Sequence, residues 1–211
     1  MERVICLVIG YCFGLFQTGY FYSKAHNVDI KKEGSGNSGS TNVLRVMGVK
    51  AGAIVFFGDC FKTVFACLAA RFLFGGQPDM VGLLVLYAAF GAILGHNYPF
   101  YMHFNGGKGI ACTAGLLVSI DWRLTLICLI VFAVIVAVTR YVSLGSLVVV
   151  SIFVAWMIVF GAMGEYGVRA GLLPEFYGVA GAIAVLAFVR HRANLKRLVS
   201  GTENKIGVKK K

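Results

Sequence analysis

The sequence predicts an all-α integral membrane protein, a seven-transmembrane-helix bundle with short or re-entrant helices around cytoplasmic glycine-rich loops. Three observations predict it. Of the 211 residues, 58% are hydrophobic and only 14% charged, with a mean hydropathy of +0.79, whereas soluble domains run at about 45–50% apolar and about 25% charged. The apolar residues are gathered into runs near the ~20 residues that carry a helix across a bilayer. The basic residues, which set a net charge of +11, flank those runs as topology signals do. They are not interleaved with aromatics on a soluble face, so nucleic acid is not an expected partner. No polar stretch is long enough for a separate soluble domain, and residues 1–211 read as one membrane-embedded domain with a cytoplasmic basic tail over about residues 191–211.

In order along the chain, Val4–Tyr22 is the first span. It lacks a small-residue cleavage site after a short apolar region and reads as a retained helix. A polar loop, Ser23–Val46, leads to the second span, Ala51–Phe74, and the turn Gly75–Asp79 leads into the third, Met80–Leu94. The loop that follows ends in Gly-Gly-Lys-Gly and gives way to the short apolar run Ile110–Ile120, closed by Asp121-Trp122-Arg123. Eleven residues are too few to cross, so part of that loop is expected to be helical or re-entrant, a form tolerated only where protein buries it. Leu124–Val138, Leu144–Met163 and Phe176–Val189 are the fifth, sixth and seventh spans.

An odd number of spans puts the termini on opposite sides. One side receives Lys24, Lys31, Lys32, Arg45, Lys50, Lys108, Arg140 and the eight lysines and arginines from Arg190 onward, fifteen in all. The other receives Arg3, Arg71, Arg123 and Arg169. This imbalance places the N-terminus outside, and the C-terminus and both glycine-rich loops in the cytoplasm. The six cysteines all lie in apolar runs at no bridging or metal-binding spacing, and read as small buried hydrophobes.

Two loops carry the chemistry. Gly34–Arg45 (GSGNSGSTNVLR) formally contains G-x-G-x-x-G, but it follows a membrane helix and not a strand, so it is no dinucleotide fingerprint. Its glycines, Gly36 among them, let backbone amides converge on an anion. Ser35, Asn37, Thr41 and Asn42 add side-chain donors and Arg45 a bidentate fork. The plain alternative is a solvated connector. In Gly95–Gly109 (GHNYPFYMHFNGGKG), Met102 stands where a Walker motif needs glycine. Lys108 is nevertheless the only ionisable residue between Phe104 and Ser119, flanked by Gly106, Gly107 and Gly109 at the start of a helix whose free amides favour phosphate. His96 and His103 read first as packed or capping residues. An acyl-CoA type His-x4-Asp pattern is absent, with Tyr101 and Lys108 at the aspartate positions.

Asp59 and Lys62 share one face of the second span. Mutual neutralisation and a functional role are both open. Proton coupling would need a second acid or a histidine deep in another span, and none is expected there.

The segments GSGNSGSTNVLR, GHNYPFYMHFNGGKGIACTAG, RYVSLGS and HRANLKRL occur in this order, joined by apolar spans. Together they resemble the bacterial acyl-phosphate:glycerol-3-phosphate acyltransferase family, over Asp29 to Ile206. The resemblance implies a seven-helix enzyme of the bacterial inner membrane that moves an acyl group from fatty acyl phosphate to the sn-1 hydroxyl of glycerol 3-phosphate. The product is lysophosphatidic acid, in the first acylation step of phospholipid synthesis. It also implies no metal, no cofactor, no CoA and no direct use of acyl-carrier protein. The implied partners are acyl phosphate, glycerol 3-phosphate and membrane lipids, with the acyl-phosphate-producing enzyme as a candidate. Carried over position by position, Ser35, Arg45, Lys108, Ser143, Ser146, His191 and Asn194 line the polar site. His96 is a candidate to orient or deprotonate the hydroxyl. The chain departs from the family at GLFQTG in the first span, at Ser38 for a common proline and at Ser40 for a common alanine.

The residues agree with that chemistry. An acyl phosphate is an activated mixed anhydride, and no loop serine sits in a nucleophile elbow or a Ser-His-acid set. Holding two anions together and stabilising the oxyanion is then the main task. A small membrane transporter of a phosphorylated metabolite is the alternative, but the two halves show none of the similarity that transporter repeats carry. The polar loops argue against a non-catalytic scaffold. Lys209–Lys211 read as a contact with anionic lipid.

Overall fold

The structure, a computed structural model, describes residues 1–207, so the expected lipid contact of Lys209–Lys211 lies outside the described residues. These form helices α1 (Glu2–Leu15), α2 (Thr18–Ala25), α3 (Ser40–Met47), α4 (Val49–Phe74), α5 (Val81–Asn97), α6 (Ile110–Ile120), α7 (Trp122–Thr139), α8 (Val142–Ala162), α9 (Leu173–Arg190) and α10 (Arg192–Val199), with no strand among the described residues. Among the described residues six helical segments are long and apolar enough to cross a membrane. The predicted fourth span is α6, whose eleven residues reach only about 16 Å at 1.5 Å per residue. The helical part of the preceding loop is a single 3₁₀ turn, Phe100–Met102.

Two further expectations change. The first span is not continuous but breaks between α1 and α2 at Phe16-Gln17. Carbonyls freed by a break inside an apolar bundle need internal donors, and two side chains supply them, one from α4 and one from the break itself. Lys62 Nζ donates to Phe16 O at 2.7 Å and Gly14 O at 3.3 Å. The buried Gln17 Nε2 donates to Gly14 O at 3.3 Å and His96 O at 2.9 Å. The polar loop Ser23–Val46, for its part, ends in helix α3, which carries Arg45.

α5 is the buried centre, with Leu83, Leu84, Leu86, Ala88 and Ala92 fully enclosed. α1 lies directly on it through two interlocked small-residue pairs. A Cβ on Gly10 or Gly14 would strike the backbone of Ala88 or Ala92, and one on Gly91 or Gly95 the backbone of Leu7 or Tyr11. Such close approach is how helices associate where no hydrophobic gain separates protein from lipid. At one end of the bundle Arg3 and Tyr87 both bond Glu175, tying α1, α5 and α9 together. Nearby Asp121 accepts from Arg123 N (2.9 Å), Trp156 Nε1 (3.0 Å) and Tyr166 OH (3.3 Å), fixing the α6–α7 corner against α8.

At the other end four loops meet. Lys31 Nζ bonds Asn105 O at 2.8 Å across the two glycine-rich loops. Arg190 donates to the carbonyls of Gly106 and Gly107 at 2.8–3.1 Å and lies over the Tyr98 ring. The expected basic tail is ordered in its first part: α10 is followed by a return in which Ile206 N bonds Arg140 O at 2.9 Å.

Candidate active site

The four loops enclose a cavity of about 360 Å³. Twelve of the sequence-predicted residues line it: Ser35, Asn37, Thr41, Asn42, Arg45, His96, Lys108, Gly109, Ser143, Ser146, His191 and Asn194. Gly36, Gly106 and Gly107 do not. The expectation that the amides of Gly36, Gly106 and Gly107 cradle the anion is corrected here, because those amides are used within the protein. Ser35 N bonds Asn42 Oδ1 (2.8 Å), Gly39 N bonds Asn37 Oδ1 (2.9 Å), and Gly36 N bonds Glu33 O (3.0 Å). Gly106 N and Gly107 N bond Asn97 O and His96 O, each at 3.0 Å. Buried backbone groups have to be paired, and in these loops they pair locally.

The glycine at position 107 serves packing instead. A Cβ there would collide with Nε2 of the His96 ring. Gly107→Ala is therefore expected to destabilise the protein by about 1–3 kcal/mol, the usual cost of overpacking, measured as a lowered midpoint in thermal or denaturant melts. An unchanged melt would mean that His96 does not fill this space.

The free amides come from helix starts. α3, α6 and α8 all begin at the cavity, through Ser40 and Thr41, Ile110 and Ala111, and Val142 and Ser143. Their N-cap residues, Gly39, Gly109 and Tyr141, provide no side-chain cap. Three uncapped N-termini add their partial positive charges at one place. Arg45 adds a guanidinium with no hydrogen-bond partner among the described residues.

Lys108 Nζ bonds Asn194 Oδ1 at 2.6 Å. Asn194 Nδ2 in turn bonds Glu203 Oε1 at 2.7 Å, and Arg197 Nε bonds Glu203 Oε2 at 2.8 Å. Burial pushes the Lys108 ammonium down to about 8; Glu203 opposes this, while Arg197, Arg190 and Arg45 reinforce it. Glu203 and Arg197 escaped sequence reasoning. Glu203 is the only acidic residue after Glu175, a lone carboxylate in a basic tail, and that was the available signal.

The two cavity histidines are in different states. His191 Nδ1 lies 2.8 Å from Ala187 O, an acceptor only, so Nδ1 carries the proton. Burial, reinforced by the Lys108 charge, holds His191 down at about 4, so near neutrality Nε2 presents a lone pair. His96, which is 2% exposed, sits on the Asp59–Lys62 pair. Lys62 Nζ is 2.8 Å from Asp59 Oδ1 and 2.8 Å from His96 Nδ1, and Thr18 Oγ1 bonds the same Asp59 oxygen at 3.0 Å. The expectation that no histidine from another span joins this pair is thus overturned. His96 belongs to the last turn of α5, which packs directly on α4 and so brings its ring to Lys62. His103 is exposed, outside the cavity, with left-handed backbone. Among the described residues no cluster of three or more His, Cys, Asp or Glu is placed to hold a metal.

One wall is apolar, built from Ala53, Phe56 and Phe57 of α4 and Phe132 and Val136 of α7. From it an exposed ladder runs along α4, with Phe57, Phe61 and Phe65 stacked at 6.3 Å between successive ring centroids. A pocket rich in free amides and cationic side chains thus opens beside an exposed apolar face.

The chain matches the glycerol-3-phosphate acyltransferase family over residues 4–201. It is similar to the glycerol-3-phosphate acyltransferase of Clostridioides difficile (strain 630), with 41% identity covering 98% of this chain and 97% of the relative. It is also similar to that of Halalkalibacterium halodurans, with 39% identity covering 100% and 98%. Its fold is similar to a crystal structure of PlsY (YgiH), an integral membrane glycerol 3-phosphate acyltransferase, in the glycerol 3-phosphate form. There the TM-score is 0.84 and the identity 31%, covering 98% of this chain and 96% of that one. The lysophosphatidic acid form of the same protein aligns with a TM-score of 0.80.

Proposed function

This chain belongs to the glycerol-3-phosphate acyltransferase family, and from that premise we propose that it transfers the acyl group of a fatty acyl phosphate to glycerol 3-phosphate, releasing lysophosphatidic acid and phosphate. The observation that carries the reading is the cavity itself. Three uncapped helix starts, Arg45, Lys108 and Asn194 suit phosphate groups, and the adjoining phenylalanine groove suits an alkyl chain. No protein nucleophile is required. The glycerol hydroxyl attacks the acyl carbon, the carbon–oxygen bond to phosphate breaks, and the departing phosphate takes the hydroxyl proton. Lys108 and Arg45 neutralise the phosphates and Ser143 adds a hydroxyl, an assignment supported by its buried, unpartnered Oγ. His191, with its free Nε2, accepts from the hydroxyl and orients it. Much of the acceleration comes from holding the two substrates together.

In this reading α6, too short to cross alone, completes with the loop before it the fourth of seven passes. Lys108 before α6 and Ser143 after α7 line the same cavity, so the chain leaves that end on α6 and returns on α7. The asymmetry of basic residues supports a cavity on the cytoplasmic side, with the N-terminus outside, and the family resemblance supports a bacterial inner membrane. The acyl-phosphate-producing enzyme is the candidate protein partner.

Purified protein mixed with acyl phosphate and labelled glycerol 3-phosphate is expected to yield labelled lysophosphatidic acid and one phosphate per ester. Vesicle uptake of label without a lipid product would replace the reading with transport. Glu203 supplies a second expectation. Glu203→Gln removes the negative charge that favours the Lys108 ammonium, so Lys108 deprotonates at lower pH. The alkaline limb of kcat/KM is then expected to move to lower pH, and an unmoved limb would separate Glu203 from the site.

A further inference from the structure

The Lys62 ammonium has three protons and no lone pair. The three shortest contacts are to Asp59 Oδ1, Phe16 O and His96 Nδ1, at 2.7–2.8 Å, and the longer one to Gly14 O at 3.3 Å can only share a proton with one of them. His96 Nδ1 must therefore accept. The ring proton is left on Nε2, which bonds no group among the described residues, and the side chain lines the cavity. Gly107, with no room for a Cβ against this ring, lets the imidazole lie flush with the loop that carries Lys108. The earlier candidate role of deprotonating the glycerol hydroxyl does not fit a nitrogen that already carries its proton.

Building on the acyl-transfer reading, the geometry points to His96 as a neutral hydrogen-bond donor to the carbonyl oxygen of the acyl phosphate, with Lys62 and Asp59 as positioning residues that set its tautomer. Two features select the carbonyl over a phosphate. The cationic groups that line the cavity, Arg45, Lys108 and Arg197, come from α3, the start of α6 and the return after α9, whereas His96 stands on the Asp59–Lys62 pair, whose charges offset each other and offer a phosphate no net attraction. A neutral donor beside a neutralised ion pair suits an uncharged carbonyl that gains negative charge only as the tetrahedral intermediate forms. The donor is prearranged by a break in the first span, a charge in the second and a helix end in the third. None of these alone suggests an oxyanion site.

The test exploits amide geometry. The side-chain nitrogen of glutamine reaches the place of Nε2 and that of asparagine does not. His96→Ala and His96→Asn are expected to lower kcat by about 10²–10³, as removal of one oxyanion donor does, with the KM for glycerol 3-phosphate little changed. His96→Gln is expected to recover to within about tenfold of wild type and to keep the shape of the pH profile. Nitrogen-15 spectra of ring-labelled protein in detergent, assigned by difference from His96→Gln, are expected to show His96 as the Nε2–H tautomer. That preference is expected to be lost in Lys62→Met. If His96→Gln were as inactive as His96→Ala while both folded, or if the ring proton were on Nδ1, the inference would be overturned. A wild-type protein inactive with acyl phosphate would instead overturn the acyl-transfer reading, and the tautomer measurement would still report on Lys62 and His96.

Discussion

Lys108→Ala is expected to reduce kcat/KM by about 10²–10³, the magnitude typical of losing one donor to a developing oxyanion, while leaving the melting behaviour intact. The ammonium stands just before an uncapped helix start, held by Asn194 at 2.6 Å, so on the acyl-transfer reading it is expected to supply charge to the phosphates and not support to the core. Lys108→Arg is expected to recover only part of the activity, because a planar fork does not replace a compact ammonium between glycines. The pH dependence follows from the same residue. Burial places its pKa at about 8; the phosphate-binding form is the protonated one, present below that value. kcat/KM, which reports the free enzyme, is expected to fall as pH rises through about 8, and Lys108→Arg is expected to lose that limb. Steady-state kinetics between pH 6 and 10 on the three proteins checks both statements. Near wild-type turnover in Lys108→Ala would remove this residue from the site.

The second large effect concerns the buried pair. Lys62→Met leaves the Asp59 carboxylate, 1% exposed, without its counter-charge, and breaking a buried pair by removing one partner costs about 3–5 kcal/mol. It also strips Phe16 O of its side-chain donor and leaves Gly14 O with Gln17 Nε2 alone, weakening the break in the first span. Asp59→Leu combined with Lys62→Met removes both charges, so it is expected to melt well above the single Lys62→Met variant even though Phe16 O remains without its side-chain donor. Activity is expected to behave differently: the double variant stays impaired, because His96 has lost the contact that sets its ring proton. Comparing melts with turnover across the two singles and the double separates a stabilising pair from a positioning one. A double variant no more stable than Lys62→Met would contradict the charge argument.

Sequence alone determined much of this protein. Apolar runs of membrane length, the basic residues at their ends and two glycine-rich loops were enough to outline the spans, and twelve of the fifteen named site residues do line one cavity. These features are local and need no knowledge of neighbours. Four matters were decided only in three dimensions: the break after Leu15, the seating of His96 on Lys62, the use of the glycine amides within their own loops, and the return of Glu203 and Arg197 over Lys108. The physical reason is common to them. A helix apolar on nearly every face, as α5 and α7 are in sequence, carries no periodicity that tells which side meets protein and which meets lipid, so partners 34 or 86 residues apart leave no mark on the pattern. In an interior without water each freed carbonyl, amide and charge must nevertheless find a partner, and only the packed bundle decides which one it is.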